Sequence, residues 1–197
     1  MTIALISIFS ITSCRAQVSP LYKADPDLPE GTYFKDMDND LDKFVGTWKW
    51  QNGNDEFIVV LEKKEHILDV DGEYYNDLLI GEYSYIENGV ELANYLPNLN
   101  DSSILVEEHN LTLLSILHKN HHPICEECDI TERRVTLLLH DPERDWVPAR
   151  ITLRHVMENG VEKLEAFVHG GGAVVQPNEN APTWIRVPMG NYVMVKQ

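Results

Sequence analysis

The chain has 197 residues, the length of one ordinary domain, and 43% of them are apolar, which supplies a core and argues against wholesale disorder. Its 16 basic side chains face 32 acidic ones, a formal charge of −16. A chain this acidic repels phosphate backbones and the anionic faces of bilayers, so nucleic acid is excluded from the expected partners.

Met1–Ser13 carries no charge and holds the apolar run Ile3, Ala4, Leu5, Ile6, Ile8, Phe9 and Ile11. The run is too short to cross a bilayer, which takes roughly 20 residues as a helix. It fits the apolar core of a secretory signal, about 7–15 residues long. Ile11-Thr12-Ser13-Cys14 then matches a bacterial lipobox, in which small or β-branched residues precede a cysteine that takes a diacylglycerol thioether. The expectation is a signal peptide over 1–13 and lipidation of Cys14. That places the protein in the cell envelope, anchored to a bacterial membrane, the outer membrane first. Two alternatives stay open: plain secretion or a periplasmic location after cleavage behind Ala16, and an N-terminal strand buried in the fold.

From Cys14 to residue 42 the sequence is polar, with Pro20, Pro26, Pro29 and the acidic run Asp36–Asp40. It reads as a tether, with one helical turn near Asn39–Phe44. The single domain is expected over 43–197. There Phe44–Trp50 alternates and meets Asn52-Gly53, a type I′ hairpin signal, before Glu56–Glu65 returns. Asp77–Ile86 leads to Asn88-Gly89 and Val90–Leu92. Ala149–Met157 leads to Asn159-Gly160 and Val161–His169. Shorter candidate strands are Ile104–Glu107, Leu111–Leu117, Val135–His140 and Tyr192–Lys196. About ten strands and almost no helical periodicity predict an all-β, antiparallel up-and-down meander. Closure into a barrel of about 8–10 strands would hide its edges.

Gly46-Thr47-Trp48 on the first long strand lets an indole lie over the floor of a small barrel. Here the sequence resembles the lipocalin-like (calycin-type) group, whose first strand carries Gly-x-Trp, with Lys196 standing where the group has an arginine on its last strands. The layout also resembles a family of small uncharacterised lipoproteins from Bacteroidota of flavobacterial type, on Cys14, Gly46–Trp48, Asp77–Gly81 and Val193–Gln197. That resemblance implies no activity.

Of the remaining cysteines, Cys125 and Cys128 lie close to His118, His121 and His122. Two thiolates and nearby imidazoles could supply a tetrahedral zinc set. In an oxidising envelope the same pair is expected as a disulfide, with a redox pair as a third reading. His169-Gly170-Gly171-Gly172 resembles the oxyanion loop of lipases, but the chain has no Gly-x-Ser-x-Gly elbow to serve it. Asp36-x-Asp38-x-Asp40 starts like a calcium loop and then has Leu41 where the turn glycine belongs. The functional expectation is a monomeric, non-catalytic envelope module without a cofactor, binding a small hydrophobic ligand or an envelope protein. The alternative is an envelope metal-binding protein or metal-dependent enzyme using the His118–Cys128 segment.

Overall fold

The computed structural model describes residues 17–23 and 27–197; Cys14, and with it the expected signal and lipidation site, lies outside them. Among the described residues eleven strands form one sheet: β1 Val18–Pro20, β2 Tyr33–Lys35, β3 Gly46–Asn52, β4 Asp55–Leu68, β5 Tyr75–Glu87, β6 Val90–Asn94, β7 Leu111–Leu117, β8 Arg134–Leu139, β9 Ala149–Glu158, β10 Val161–Gly170 and β11 Gly190–Lys196. Eight of them, β3, β4, β5 and β7 to β11, follow one another antiparallel around a closed barrel. The ring is sealed where β11 meets β3, Lys196 opposite Trp48, and where β5 meets β7, Gly81 opposite Leu111. Closure removes the unpaired edges that would invite aggregation.

Asparagine-glycine turns set the hairpins. Asn88-Gly89 and Asn159-Gly160 both take positive φ at both positions, as type I′ requires. The β3–β4 turn departs from the type I′ expectation. Asn52 still pairs with Asp55, so the loop is Gly53-Asn54, and only Gly53 has positive φ, the glycine-first pattern of type II′.

Two further segments differ from the sequence reading. Two pieces of the stretch expected as a tether are packed onto the barrel: β1 pairs with β2, and β2 pairs parallel with the start of β5. Its polar, proline-containing composition masks two buried apolar side chains, Phe34 and Leu41. It also masks a buried carboxylate relay. Asp77 accepts from the Tyr33 hydroxyl at 2.5 Å, the Asp36 amide at 2.8 Å and the His66 amide at 3.0 Å. Asp36 in turn accepts from the amides of Asp40 and Leu41 and pairs with Lys63 at 2.9 Å. The helical turn falls at Asp42–Phe44. Ile104–Glu107, expected as a strand, is irregular chain leading into a 3-10 turn at Val106–Glu108. That segment belongs to the excursion between β6 and β7, whose end lies over the outer face of β5.

The core is the inside of the barrel. Trp48 from β3, Phe57, Val59 and Leu61 from β4, and Leu79 and Tyr83 from β5 are all buried there. So are Val135, Leu137 and Leu139 from β8, with Ile151 and Leu153 from β9 and Leu164 and Val168 from β10. These positions alternate along each strand, the period-2 pattern of inward and outward side chains.

Candidate functional site

A lipocalin-like barrel places its ligand inside, so the lumen is the first place to look. It is filled. Trp48, Phe57, Leu61, Leu79, Tyr83, Leu111, Leu137, Leu139 and Ile151 are among the largest of the fully buried side chains. Phe57 meets Tyr83, Tyr85 and Tyr192 edge-on, at centroid distances of 6.2, 6.1 and 5.2 Å. These are the tilted arrangements that aromatic quadrupoles favour.

Both ends are also stoppered. At the floor, the Trp48 indole donates to the Phe44 carbonyl at 2.8 Å, and the Lys196 ammonium lies 5.3 Å from the ring centroid. Gly46 has φ +129°, and a Cβ there would stand 3.3 Å from Cε of Lys196. The glycine two residues before the tryptophan therefore clears the path by which Lys196 crosses the indole. At the opposite end Asp141 is fully buried and pairs with Arg186, whose guanidinium donates to Oδ1 at 2.5 Å. Arg186 also donates to the Leu92 carbonyl at 2.6 Å and to the Tyr95 hydroxyl. Burial alone would raise the Asp141 carboxyl, but the hydrogen bonds from Arg186 outweigh it and hold it below the ordinary carboxylate value. Tyr83 donates to the His140 carbonyl nearby, and burial pushes its phenol well up.

The other candidates named from sequence resolve in turn. Cys125 and Cys128 form a disulfide, and both are buried. A cystine offers no thiolate, so the five-residue zinc set is not assembled. His118 and His121 stand edge-to-face at 5.3 Å, and His122 is exposed. No group of three or more His, Cys, Asp or Glu converges on a common point among the described residues. Loss of hydration, then the nearby Arg133 and His121, hold the His118 imidazole below its usual value. The His-Gly-Gly-Gly segment is used structurally: the Gly171 amide donates to the Pro148 carbonyl at 2.8 Å, and His169 hydrogen-bonds Thr152 at 3.0 Å. The aspartate run begins with the buried Asp36 carboxylate described above, which accepts from the Asp40 and Leu41 amides.

What remains open lies outside the barrel. A groove of about 500 Å³ runs over the outer faces of β9, β10 and β11, under a wall made by Pro123–Glu127 of the disulfide loop. The strand register lays its floor out as two rows: Asn191 beside Phe167 beside Thr152, and Val193 beside Glu165 beside Arg154. Arg154 donates to Glu132 at 2.7 Å and Glu165 at 3.0 Å, and stands 3.5 Å from Glu127. The Asn191 side-chain amide makes no hydrogen bond among the described residues.

The wall is held in place by a residue the sequence reading did not single out. Arg134, the first residue of β8, is buried and pairs with no carboxylate among the described residues. Its guanidinium donates instead to the carbonyls of Pro123 (2.6 Å), His118 (3.0 Å), His121 (3.1 Å) and Lys119 (3.4 Å). One planar cation thus gathers four carbonyls of one turn, two of them, His118 and Lys119, shared with the amides of His121 and Cys125, and the disulfide closes the other side of the same loop. A wall fixed in this way makes the groove a preformed surface, the usual condition of a binding site.

Fold and surface together define a small, closed, eight-stranded lipocalin-like barrel with a solid interior and an external groove. The chain belongs to the family of unknown function DUF6705, whose profile matches residues 1–197. No curated protein and no solved structure matches it.

Proposed function

We propose that this protein is a non-catalytic binding module of the bacterial cell envelope, anchored by a lipid on Cys14, that holds its ligand or partner in the external groove. One observation carries the reading: the lumen, where a lipocalin-like barrel would hold a small molecule, is occupied by the protein's own aromatic and aliphatic side chains, whereas the groove is open and preformed. In the groove the Thr152 hydroxyl meets the His169 imidazole at 3.0 Å but is buried and also bonded to Thr136 at 2.9 Å, and Arg154 is engaged with Glu132 and Glu165. The anchor is supported by the apolar run and the Ile-Thr-Ser-Cys motif. Three residues, Arg15 to Gln17, separate Cys14 from β1, a reach of about 10 Å when extended. A lipid there would hold the floor end of the barrel close to the headgroups, as a monomer on the outer membrane.

Two experiments test the reading. Metabolic palmitate labelling should be lost in Cys14→Ala; labelling that persists would remove the anchor. A small-molecule and fragment screen by thermal shift should give stabilising compounds for the wild type that fail with Val193→Trp, which fills the groove. Compounds that stabilise both proteins equally would place binding elsewhere.

A further inference from the structure

The groove's chemistry narrows its occupant, on the reading that the groove is the binding site. We infer that it takes an extended peptide segment in which a basic residue is flanked by apolar ones.

Three features of the floor and wall carry this. The first is geometry. Residues i and i+2 of a strand lie on one face about 6.5–7 Å apart, and strands lie about 4.8 Å apart. Asn191 and Val193 on β11, with Phe167 and Glu165 on β10, therefore form a grid with the period of an extended chain laid along it. A compact amine or sugar has no such repeat to match. The second feature is the alternation of chemistry on that grid. Phe167 and Val193 are apolar, and Ile124 projects from the wall with 58% of its surface exposed. The Asn191 amide, with donors and an acceptor both uncommitted, is suited to a peptide unit, which offers one of each.

The third feature is charge. The cluster holds three carboxylates, Glu127, Glu132 and Glu165, against two guanidiniums, Arg134 and Arg154. Exposure separates the signs: the side chains of Glu127 and Glu165 are 67% and 45% exposed, while that of Arg154 is 17% exposed and Arg134 is buried. The charge presented to an arriving ligand is therefore negative, and the chain's −16 adds long-range attraction for a cation. A basic side chain would insert between Glu127 and Glu165, its neighbours resting on Phe167, Val193 and Ile124.

The test is fluorescence anisotropy on the full-length protein in neutral detergent, with end-blocked, fluorescein-labelled Ser-Leu-Lys-Leu-Ser and its counterpart with glutamate in place of lysine. The lysine peptide should bind, weaken with added salt, and lose roughly fivefold or more in affinity with Glu127→Gln/Glu165→Gln, the size expected for two partly exposed ion pairs. Asn191→Leu should weaken it without changing the salt dependence. Equal binding of the glutamate peptide, or lysine-peptide binding indifferent to the double substitution, would overturn the inference. If fragments still bind the wild type and not Val193→Trp while neither peptide binds, the peptide inference falls and the binding site stands. If the fragments fail as well, both fall.

Discussion

The ammonium of Lys196, at the end of the last strand, lies over the indole of Trp48 in the first barrel strand, 5.3 Å from its centroid. The two residues face each other across the β3–β11 seam that closes the ring. Lys196 also pairs with Glu162 on β10, so one side chain ties three strands at the floor. A cation over tryptophan contributes about 0.5–1 kcal/mol when exposed and about 2 when desolvated. Lys196→Ala should therefore lower the stability measured by urea titration by about 1 kcal/mol, and Lys196→Arg should retain it. Equal stability of Lys196→Ala and the wild type would show that the seam closes without this contact.

Gly46→Ala should cost more than an ordinary surface substitution. At φ +129° a side chain is strained, and the new Cβ would press on the Lys196 stem at 3.3 Å. Strained backbone positions cost about 1–3 kcal/mol. The same urea titration checks this, and in the Lys196→Ala background the penalty should shrink to its backbone part.

Asp141 and Arg186 make the opposite closure, and removing one partner leaves the other charge buried. Arg186→Ala should destabilise by about 3–5 kcal/mol. Since the folded-state pKa of Asp141 lies below its unfolded value, its contribution is complete above the unfolded pKa of about 4. It is lost as pH falls through the folded value. Denaturation midpoints measured between pH 5 and pH 2 should fall, and the fall should be shallower in Asp141→Asn.

Histidines govern a milder range. Loss of hydration holds the imidazoles of His155 and His169 below their ordinary value. Their contribution to stability is whole above the unfolded pKa of about 6.5 and declines as pH drops through the folded values. Between pH 7.5 and pH 5.5 the wild type should lose more stability than His155→Gln/His169→Gln. An equal loss would assign the acid sensitivity to other groups.

The Cys125–Cys128 link closes a very short loop, so its removal should cost only about 2–3 kcal/mol or less. Its local effect should be larger. In Cys125→Ser/Cys128→Ser, amide hydrogen exchange over residues 118–133 should accelerate while that of β9 and β10 stays slow. Arg134→Met should loosen the same segment, because the guanidinium that ties four of its carbonyls together is lost.

The barrel was legible because alternation and Asn-Gly turns are local signals. β3, β4, β8, β9, β10 and β11 show apolar residues at every second position along their lumen-lining stretches. Gly46-x-Trp48 located the floor, and the compartment implied by the N-terminus pointed to the disulfide. The groove and the Asp141–Arg186 closure were not legible, since each joins residues far apart in the chain. Alternation assigns Glu82, Thr136 and Thr152 to the solvent face, yet all three are buried. Glu82 is covered by His109 and Asn110, which hydrogen-bond it at 2.9 and 2.7 Å. Residues 18–44 misled for the opposite reason: buried Asp36 and Asp77 hold that segment to the barrel, and no hydropathy pattern reports a buried carboxylate. A charged residue at the first position of a strand, such as Arg134, carries no mark that its partners will be carbonyls.

The most direct test of an external site on a solid barrel is amide chemical-shift mapping by NMR during titration with the lysine peptide. Shifts should concentrate at Ile124, Phe167, Asn191 and Val193, leaving the amides of β4, on the far side of the barrel wall from the groove, unmoved. Perturbations centred on lumen residues such as Phe57, Tyr83 and Leu137, with the groove silent, would contradict the external site and return the ligand to the interior.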